Sequence, residues 1–587
     1  MKKAFLGGLV VFVLIYLGYG LHRFSLGLDF TDEGAHLAWP LRALFGETLF
    51  SSELVTLSRP IEVYLFIPFS LHPSMTLYEF RLAGWSLHLL SFAVLATYLF
   101  RRSGAALQSL LIASLPFFAC HIFGEASPNY NSLTCDFLLL ALSLRGLMVL
   151  PATGSRHLIG VLSGLMLFAA TFSHPGLGLV GACFVLRECW TQNLLGNLRR
   201  GRLSAGNAGV AAFLLSWSAF ALYFIASGTA ARWAGRLALT GSFTANSLRD
   251  SPGRFLAGLA VHPFIHSPLA LGFTAAGLAL AVWLWWQRRS SIEATGLAGP
   301  LFAGLIAVSF VATFSFARHD LGTNIAQGGL LLLLVHGVVR PVRAGPEEDE
   351  TGFLMLMSGL GAFLCATLTY YFNAERSWVS GILALPFAFA VGLTLVARPG
   401  STRPLLGILQ TGILLLAVAS LAANHYVQIQ RDAPPGALTA GFDLPKLRGI
   451  KSTEERVRVI QELSAYLQPR LTRGESLVVY DDAPMLYYIL DARPAYGLTW
   501  AVRYNQSPAT LQFLDRELEA RPLPRYVIRT LVDVSNPAWS TAPRTNYDHY
   551  PLNETVTANY RLEHTIFPFE IWRLNPGGLP PANPAAH

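Results

Sequence analysis

The sequence contains, at residues 4–21, the uncharged stretch AFLGGLVVFVLIYLGYGL. An apolar run of about 17–21 residues can cross a bilayer as a helix. Outward from this stretch the pattern recurs, and it predicts about thirteen spans in all. These predicted spans are 4–21, 83–100, 105–123, 134–151, 158–172, 175–190, 208–227, 267–286, 297–317, 322–339, 352–372, 379–397 and 405–423. No small-residue cleavage site follows the first run, so we interpret it as a retained helix.

The composition excludes a soluble protein and a nucleic-acid-binding protein. Charged residues make up 13% of the chain, whereas soluble domains carry about 25%. The formal net charge is +8, but its cations lie in short loops between apolar runs and form no basic surface. The five cysteines include no Cys-x-x-Cys pair. We therefore infer neither a disulfide framework nor a cysteine metal site.

Arginine placement predicts the orientation. Cytoplasmic loops of membrane proteins are rich in Arg and Lys. Every second loop of this chain is basic, with Arg101 and Arg102, Arg145 and Arg156, Arg199, Arg200 and Arg202, Arg288 and Arg289, Arg340 and Arg343, and Arg398 and Arg403. This pattern predicts a multi-pass protein of the bacterial inner membrane with a cytoplasmic N-terminus. Loops 22–82, 124–133 and 228–266, and the tail from 424, are then periplasmic.

The tail has the pattern of a soluble α/β domain. Residues 454–467 have helical periodicity, and residues 476–480, 526–528 and 570–574 have strand patterns. A second helix is predicted to start at Pro484, and residues 575–587 are predicted to be disordered. The predicted fold class is an α-helical polytopic membrane protein, with membrane region 1–423 and a C-terminal periplasmic α/β domain at 424–587.

The first outer loop contains adjacent carboxylates in the sequence Leu28-Asp29-Phe30-Thr31-Asp32-Glu33-Gly34. Carboxylates at a membrane boundary are costly if they lose water, which favours a function for them. The structural alternative is a helix start, in which Thr31 or Asp32 is the N-cap and Glu33 complements the helix dipole. Both interpretations stay open on this loop alone.

Further along, the chain has Arg59-Pro60-Ile61-Glu62 before an apolar run, and Glu125 followed by Tyr130 in the second outer loop. With the Asp-Glu pair, these motifs resemble the membrane glycosyltransferases of the GT-C class. The branch it resembles contains the protein O-mannosyltransferases and the lipid A aminoarabinose transferases. As a motif the resemblance covers about 30 residues, and as architecture it covers the whole chain.

The resemblance implies inverting transfer of a sugar from a polyprenyl-phosphate donor to a cell-envelope acceptor, which is a glycan, a lipid or a protein. It assigns Asp32 as the catalytic base, Glu33 and Glu125 as its catalytic partners, and Arg59 as the donor-phosphate ligand. Tyr130 is assigned to sugar or acceptor. Arg59 and Glu62 depart from the Lys-Pro-Pro-Leu segment of the class, and Pro128-Asn129 stands where the class often has Arg.

Other outer residues extend the expected site. His174 and Arg318 are expected to bind the donor phosphate, and Asn131 and His319 the sugar or acceptor. The alternatives are that His174 caps a helix break and that Arg318 belongs to an interfacial cluster. Some enzymes of the class use a divalent metal and some need none, and no spacing in this chain decides between them.

Two other functions remain as alternatives. A lipid or glycan transporter predicts charges in mid-membrane and paired repeats, and the sequence indicates little buried charge and no repeat. A non-catalytic scaffold would keep the fold without the chemistry. Convergence of Asp32, Glu125 and Arg59 on one cavity would favour the transferase over the scaffold.

Overall fold

The computed structural model describes residues 2–49, 62–119, 126–150, 155–191, 204–230, 346–372, 404–480, 483–499, 508–537, 539 and 551–576. Up to residue 427 its regular elements are helices. They are α1 (Lys2–Arg23), α2 (Asp32–Leu44), α3 (Glu62–Leu71), α4 (Leu77–Ser103), α5 (Ala106–Ala119), α6 (Tyr130–Val149), α7 (Arg156–Ser173), α8 (Gly178–Thr191), α9 (Ala205–Ala226), α10 (Pro346–Phe372) and α11 (Pro404–Val427).

Within the described residues, 5 helices are long and apolar enough to cross a membrane, namely α1, α4, α6, α7 and α9. Exposed leucines and valines along α1, such as Leu6, Val10 and Leu14, suit contact with lipid tails rather than water. The chain is therefore a multi-pass membrane protein. Predicted spans 267–286, 297–317, 322–339 and 379–397 lie outside the described residues, and each of the other predicted spans coincides with a helix.

Helix α4 begins earlier than its predicted span because a capping box starts it. The Thr76 hydroxyl accepts from the Glu79 amide at 3.2 Å, and the Glu79 carboxylate accepts from the Thr76 amide at 2.8 Å. These reciprocal bonds satisfy amide groups that the first helical turn leaves open. As a result Arg81 lies on a rigid helix rather than in a loop.

The expected break between the fifth and sixth spans is present. Helix α7 ends at Ser173, a 3₁₀ turn covers Pro175–Leu177, and α8 begins at Gly178. Pro175 has no amide hydrogen and disfavours a helical backbone at the preceding residue, His174, whose φ is −141°.

Small residues bring α7 and α9 close together. Gly160 and Gly164 form a Gly-x-x-x-Gly stripe on α7. A Cβ at Gly164 would overlap the carbonyl oxygen of Gly209, and a Cβ at Gly160 would overlap that of Ala205. The two backbones therefore approach as in other membrane helix pairs with small-residue interfaces.

The described helices contain buried charges, which corrects the expectation of little buried charge. His88 of α4 lies 2.5 Å from an oxygen of Asp136 of α6. Arg145 pairs with Glu188, and at 2.8 Å with Glu350 of α10. Each of these ionisable groups contacts a group that can carry the opposite charge, which is how membrane interiors accommodate them.

The cysteine interpretation also needs a correction. Cys183, Cys189 and Cys365 are free, but Cys135, near the start of α6, is disulfide-bonded. Disulfide formation depends on the distance and direction between two side chains. The spacing of cysteines in the sequence gives neither the distance nor the direction, so it did not predict the disulfide bond of Cys135.

After α11 the chain forms a two-stranded and a five-stranded sheet. The strands are β1 (Ala440–Gly441), β2 (Lys451–Ser452), β3 (Ser476–Tyr480), β4 (Arg493–Pro494), β5 (Tyr526–Thr530), β6 (Tyr560–Ile566) and β7 (Phe569–Leu574). The larger sheet has the order β4-β3-β5-β7-β6, with β3 parallel to β4 and β5 and with antiparallel β5–β7 and β7–β6 pairs. The helices here are α12 (Glu454–Leu467), α13 (Met485–Ile489), α14 (Pro508–Ala520) and α15 (Pro551–Asn559).

Helix α12 and strand β3 have the predicted bounds, and α13, β5 and β7 lie at their predicted places. The sequence interpretation missed α14, α15 and the strands β1, β2, β4 and β6. Strand β6 is an edge strand with mostly exposed side chains and a register shift between Leu562 and His564, so it lacks clean alternation. Most of the predicted disordered tail, from residue 577, lies outside the described residues.

The region after α11 packs directly on the first outer loop. The Lys451 amide donates to the Ser25 carbonyl at 2.6 Å, and the Gly27 amide donates to the Lys451 carbonyl at 2.8 Å. The Met485 amide donates to the Phe30 carbonyl at 3.0 Å. The loop that carries the Asp-Glu pair is thus held between membrane helices and the C-terminal region.

Candidate functional site

An arginine from α4 shapes the loop between α1 and α2. Arg81 is buried and donates to the carbonyls of Phe24 and Gly27 at 2.9 and 3.0 Å. It also donates to both oxygens of Glu33, at 2.7 and 2.6 Å. The Ser127 hydroxyl donates to the same carboxylate. Such a bidentate buried ion pair is strong only because its charges and lone pairs are satisfied together.

The Asp29 side chain, rather than that of Thr31 or Asp32, accepts the hydrogen bonds at the start of helix α2. Its carboxylate accepts from the Thr31 amide and hydroxyl at 2.9 and 2.7 Å, and from the Glu33 amide at 3.2 Å. Thr31 occupies the N-cap position but makes no side-chain cap bond. Burial raises the pKa of Asp29, and the nearby Arg431 guanidinium partly offsets this by lowering the pKa. The predicted N-cap position of Thr31 is therefore confirmed, but the side chain that accepts the hydrogen bonds there is that of Asp29.

Glu33 and Asp29 are thus occupied by buried contacts, whereas Asp32 lies at the accessible end of α2. Its Oδ2 lies 2.7 Å from Nη1 of Arg431, and the Gln430 side chain donates to the same oxygen at 3.4 Å. The Asp32 side chain is 26% exposed, against 1% for Glu33. Asp32 is thus a carboxylate that water, and hence a polar substrate, can reach.

The backbone around Arg431 is held by buried charges. The Asp432 carboxylate accepts from the Leu28 amide at 2.8 Å and from the Ser452 hydroxyl at 2.7 Å. Arg456 lies 3.3 Å from that carboxylate and donates to the Arg431 carbonyl at 3.0 Å. The cation beside Asp32 is consequently supplied by a rigid part of the C-terminal region.

Aromatic rings continue the face of α2 on which Asp32 lies. His36 and Trp39 follow Asp32 at positions that share one face of a helix. Their ring centroids are 5.0 Å apart, and the Tyr130 ring lies 6.2 Å from His36, edge to face. Tyr130, which the resemblance assigns to sugar or acceptor, is thereby brought close to the helix of Asp32.

Only some of the expected site residues are described. Asn131 is the second residue of α6, with its amide bonded to the Asn129 side chain at 2.8 Å. His174 is buried at the break between α7 and α8. Glu125, Arg59, Arg318 and His319 lie outside the described residues. Their expected roles, and those of Asn131 and His174, stay predictions.

Three residues that the sequence interpretation did not single out complete this arrangement: Asp29, Arg81 and Arg431. Arg81 precedes a predicted span, and a cation at that boundary is a weak signal for a buried ion pair. Arg431 follows the last span by a few residues, and nothing in its spacing pairs it with Asp32. Of the residues that the structure describes, no three His, Cys, Asp or Glu side chains form a group suited to a metal ion.

The chemistry available here is that of an accessible carboxylate paired with a guanidinium. Such a group can accept a proton from a hydroxyl that approaches within hydrogen-bond distance. Glu33, in contrast, has its oxygens engaged by Arg81 and Ser127. The two adjacent carboxylates therefore suit different tasks, proton acceptance by Asp32 and positioning of the loop by Glu33.

No family model and no curated protein matches this sequence. Among solved structures, the aminoarabinose transferase ArnT from Cupriavidus metallidurans bound to undecaprenyl phosphate is 13% identical, with 99% of this chain and 100% of that chain covered and a TM-score of 0.45. Its apo form gives 14% identity, 99% coverage of each chain and a TM-score of 0.44.

The archaeal oligosaccharyltransferase AglB from Archaeoglobus fulgidus, in complex with an inhibitory peptide and a dolichol-phosphate, is 12% identical. That similarity covers 90% of this chain and 70% of that chain, with a TM-score of 0.41. ArnT and AglB are both GT-C glycosyltransferases, the class that the loop motifs resemble.

Proposed function

We propose that this protein is a glycosyltransferase that moves a sugar from a polyprenyl-phosphate donor to a cell-envelope glycan, lipid or protein. The observation that carries the proposal is the Asp32 carboxylate, which is 26% exposed and paired with Arg431 at 2.7 Å. It begins a helix directly after the first membrane span, where a lipid-linked donor and a water-borne acceptor can meet. The motif resemblance of the two outer loops supports the same reaction.

In the proposed reaction Asp32 accepts the proton of the acceptor hydroxyl while that oxygen attacks the anomeric carbon. The bond between the anomeric carbon and the phosphate oxygen breaks, and its electron pair leaves with the polyprenyl phosphate. Attack opposite to the leaving group inverts the anomeric carbon. Glu33, paired with Arg81, keeps the loop rigid, so that Asp32 holds its position.

The remaining contacts of the proposal rest on the sequence resemblance. Arg59, with His174 and Arg318, binds the donor phosphate and offsets the charge that it gains on leaving. Glu125 assists catalysis, and Tyr130, Asn131 and His319 contact the sugar or acceptor. The proposal includes no step through a metal.

The proposal places this site on the periplasmic side of a bacterial inner membrane, with the N-terminus in the cytoplasm. The disulfide bond of Cys135 supports this orientation, because disulfides persist in oxidising compartments. Cys135 lies near the end of α6 that carries Tyr130, the end that faces α2. Region 424–587 would then be a periplasmic domain that covers the site or binds the acceptor.

The experiment uses the purified full chain in nanodiscs with a panel of polyprenyl-phosphate sugars and an envelope extract as the source of acceptor. We expect release of polyprenyl phosphate by the wild-type protein and none above background by Asp32→Asn. The matched control is Asp515→Asn, which changes an exposed carboxylate on α14. Equal release by wild type and Asp32→Asn would overturn the assignment of the base, and no release with any donor would overturn the reaction.

One observation favours a second candidate, a lipid or glycan transporter. The pairs His88–Asp136 and Arg145–Glu350 put ionisable groups inside the helical bundle, where such groups often mark a transport path. A transporter would move the labelled lipid across a proteoliposome membrane without releasing polyprenyl phosphate. The release assay and a quenching assay of lipid movement therefore separate the two candidates.

A further inference from the structure

Arg431 connects the C-terminal region to the carboxylates of the first loop. Its Nη1 lies 2.7 Å from Oδ2 of Asp32 and 3.6 Å from Oδ1 of Asp29, and it donates to the Thr31 hydroxyl. The contact with Asp32 joins groups that are about 400 residues apart in the sequence, as the neighbouring Gln430–Asp32 bond shows with its separation of 398.

The backbone conformation of Arg431 indicates that this placement is imposed. Its φ is +50°, in the left-handed region that long side chains rarely adopt. Such a conformation persists only where the surroundings fix it. Here the Arg456 guanidinium donates a hydrogen bond to the Arg431 carbonyl. The carboxylate of the next residue, Asp432, accepts hydrogen bonds from the Leu28 amide and the Ser452 hydroxyl.

Of the two carboxylates that face Arg431, Asp32 is the one whose orientation the arginine can set. Asp29 is buried and already fixed by the amides of Thr31 and Glu33. Asp32 is more exposed, and both Arg431 and Gln430, from the segment after α11, contact its carboxylate. Of Arg431 and Gln430, Arg431 is the charged residue.

Arg431 could position the base or bind the leaving phosphate, and the geometry of inversion decides between these two roles. In an inverting displacement the base and the leaving group lie on opposite faces of the sugar. A guanidinium bonded directly to the base therefore lies on the acceptor side, away from the leaving phosphate. This separates Arg431 from the phosphate-binding role that the sequence resemblance assigns to Arg59.

We propose that Arg431 is a positioning residue that keeps the Asp32 carboxylate ionised and aimed at the acceptor, so that the C-terminal region completes the site. This inference rests on the proposed function for its catalytic meaning, but the pairing itself is testable without turnover.

Among the residues that the structure describes, charged or titratable groups around Asp32 come from three parts of the chain. On its own segment they are Asp29, Glu33 and His36. Helix α4 contributes Arg81, and the C-terminal region contributes Arg431, Asp432 and Arg456. Arg81 is engaged by Glu33, and Arg456 by Asp432, and loss of Arg431 removes a cation that directly contacts Asp32.

The first measurement is labelling of Asp32 by a water-soluble carbodiimide and glycine ethyl ester across pH, read by mass spectrometry. Asp515 of the same molecule is the exposed internal reference. We expect Arg431→Gln to raise the pH of half-maximal Asp32 labelling by about one unit, because a nearby cation favours the charged carboxylate. Arg431→Lys should return most of the shift. The control Arg458→Gln, which removes an exposed cation on α12, should leave it unchanged.

The second measurement is polyprenyl phosphate release and undecaprenyl phosphate affinity in the same variants. We expect Arg431→Gln to lower the rate of release at least tenfold, to move its acid limb to higher pH, and to change carrier affinity less than twofold. Unchanged labelling in Arg431→Gln overturns the inference whatever the activity, and so does a tenfold loss of carrier affinity without a labelling shift. A labelling shift in Arg431→Gln, together with no carrier release by the wild-type protein, would overturn the proposed function alone and support the pairing.

Discussion

Asp32 and Glu33 are adjacent in the sequence but have opposite environments. They point about 100° apart around α2, which directs Glu33 to Arg81 of α4 and Asp32 to Arg431 beyond α11. The sequence motif identifies both carboxylates, but it does not divide their tasks. That division depends on partners 48 and about 400 residues away, and no local pattern encodes such pairings.

The buried pair gives a prediction at this scale. Arg81→Gln leaves the Glu33 carboxylate buried without its cation, so we expect the free energy of unfolding to fall by about 3–5 kcal/mol. The double variant with Glu33→Gln should cost less than the sum of the two single variants, because each single change breaks the same interaction. Thermal unfolding in nanodiscs measures both. A loss no larger than that of Arg458→Gln would contradict the role of the pair.

At the scale of elements, the predicted spans that lie in the described residues coincide with helices, and 5 of those helices are long and apolar enough to cross a membrane. The predicted starts were less accurate where side-chain caps set them. The Thr76–Glu79 box begins α4 before its apolar run. Helix α2 begins after Thr31 as predicted, but the Glu33 amide donates to the side chain of Asp29 rather than to that of Thr31. Helix packing depends in addition on small residues, whose partners the sequence does not name. Gly164 on α7 meets Gly209 on α9, and neither position was singled out from the sequence.

This contact predicts the effect of a single methyl group. Gly164→Ala places a Cβ against the Gly209 carbonyl, and we expect it to lower the free energy of unfolding by about 1–3 kcal/mol through overpacking. Gly18→Ala on α1, where no atom lies within 4 Å of the new Cβ, should be neutral or stabilising by about 0.5–1 kcal/mol. Equal effects of the two substitutions on thermal unfolding would argue against the close packing of α7 and α9.

At the scale of the whole molecule, the C-terminal region holds both ends of α2. Near the first end it supplies Arg431, and at the other end Arg42 donates to the Pro494 carbonyl at 3.3 Å. The sequence predicted several of that region's strands and helices, since their periodicity is local. It did not predict that the region takes part in the candidate site, because those contacts join distant segments.

The proposed orientation predicts which side of the membrane exposes a free thiol. Cys189 is exposed near the end of α8 that is far from the break at residues 175–177, so it should face the cytoplasm. A membrane-impermeant maleimide should label Cys189 in inside-out vesicles and not in spheroplasts, as read by mass spectrometry. Cys365, which is buried, is the internal control. Labelling of Cys189 in spheroplasts would reverse the proposed topology.

The most direct test of the central claim is the rate of polyprenyl phosphate release by Asp32→Asn relative to Asp515→Asn, with the donor that the wild-type protein uses. Loss of a general base costs about 10²–10⁴-fold in rate. We therefore expect Asp32→Asn to fall by at least 10²-fold, and Asp515→Asn to match the wild type, with equal thermal stability of both variants. Similar rates for the two variants would contradict the assignment of Asp32 as the base.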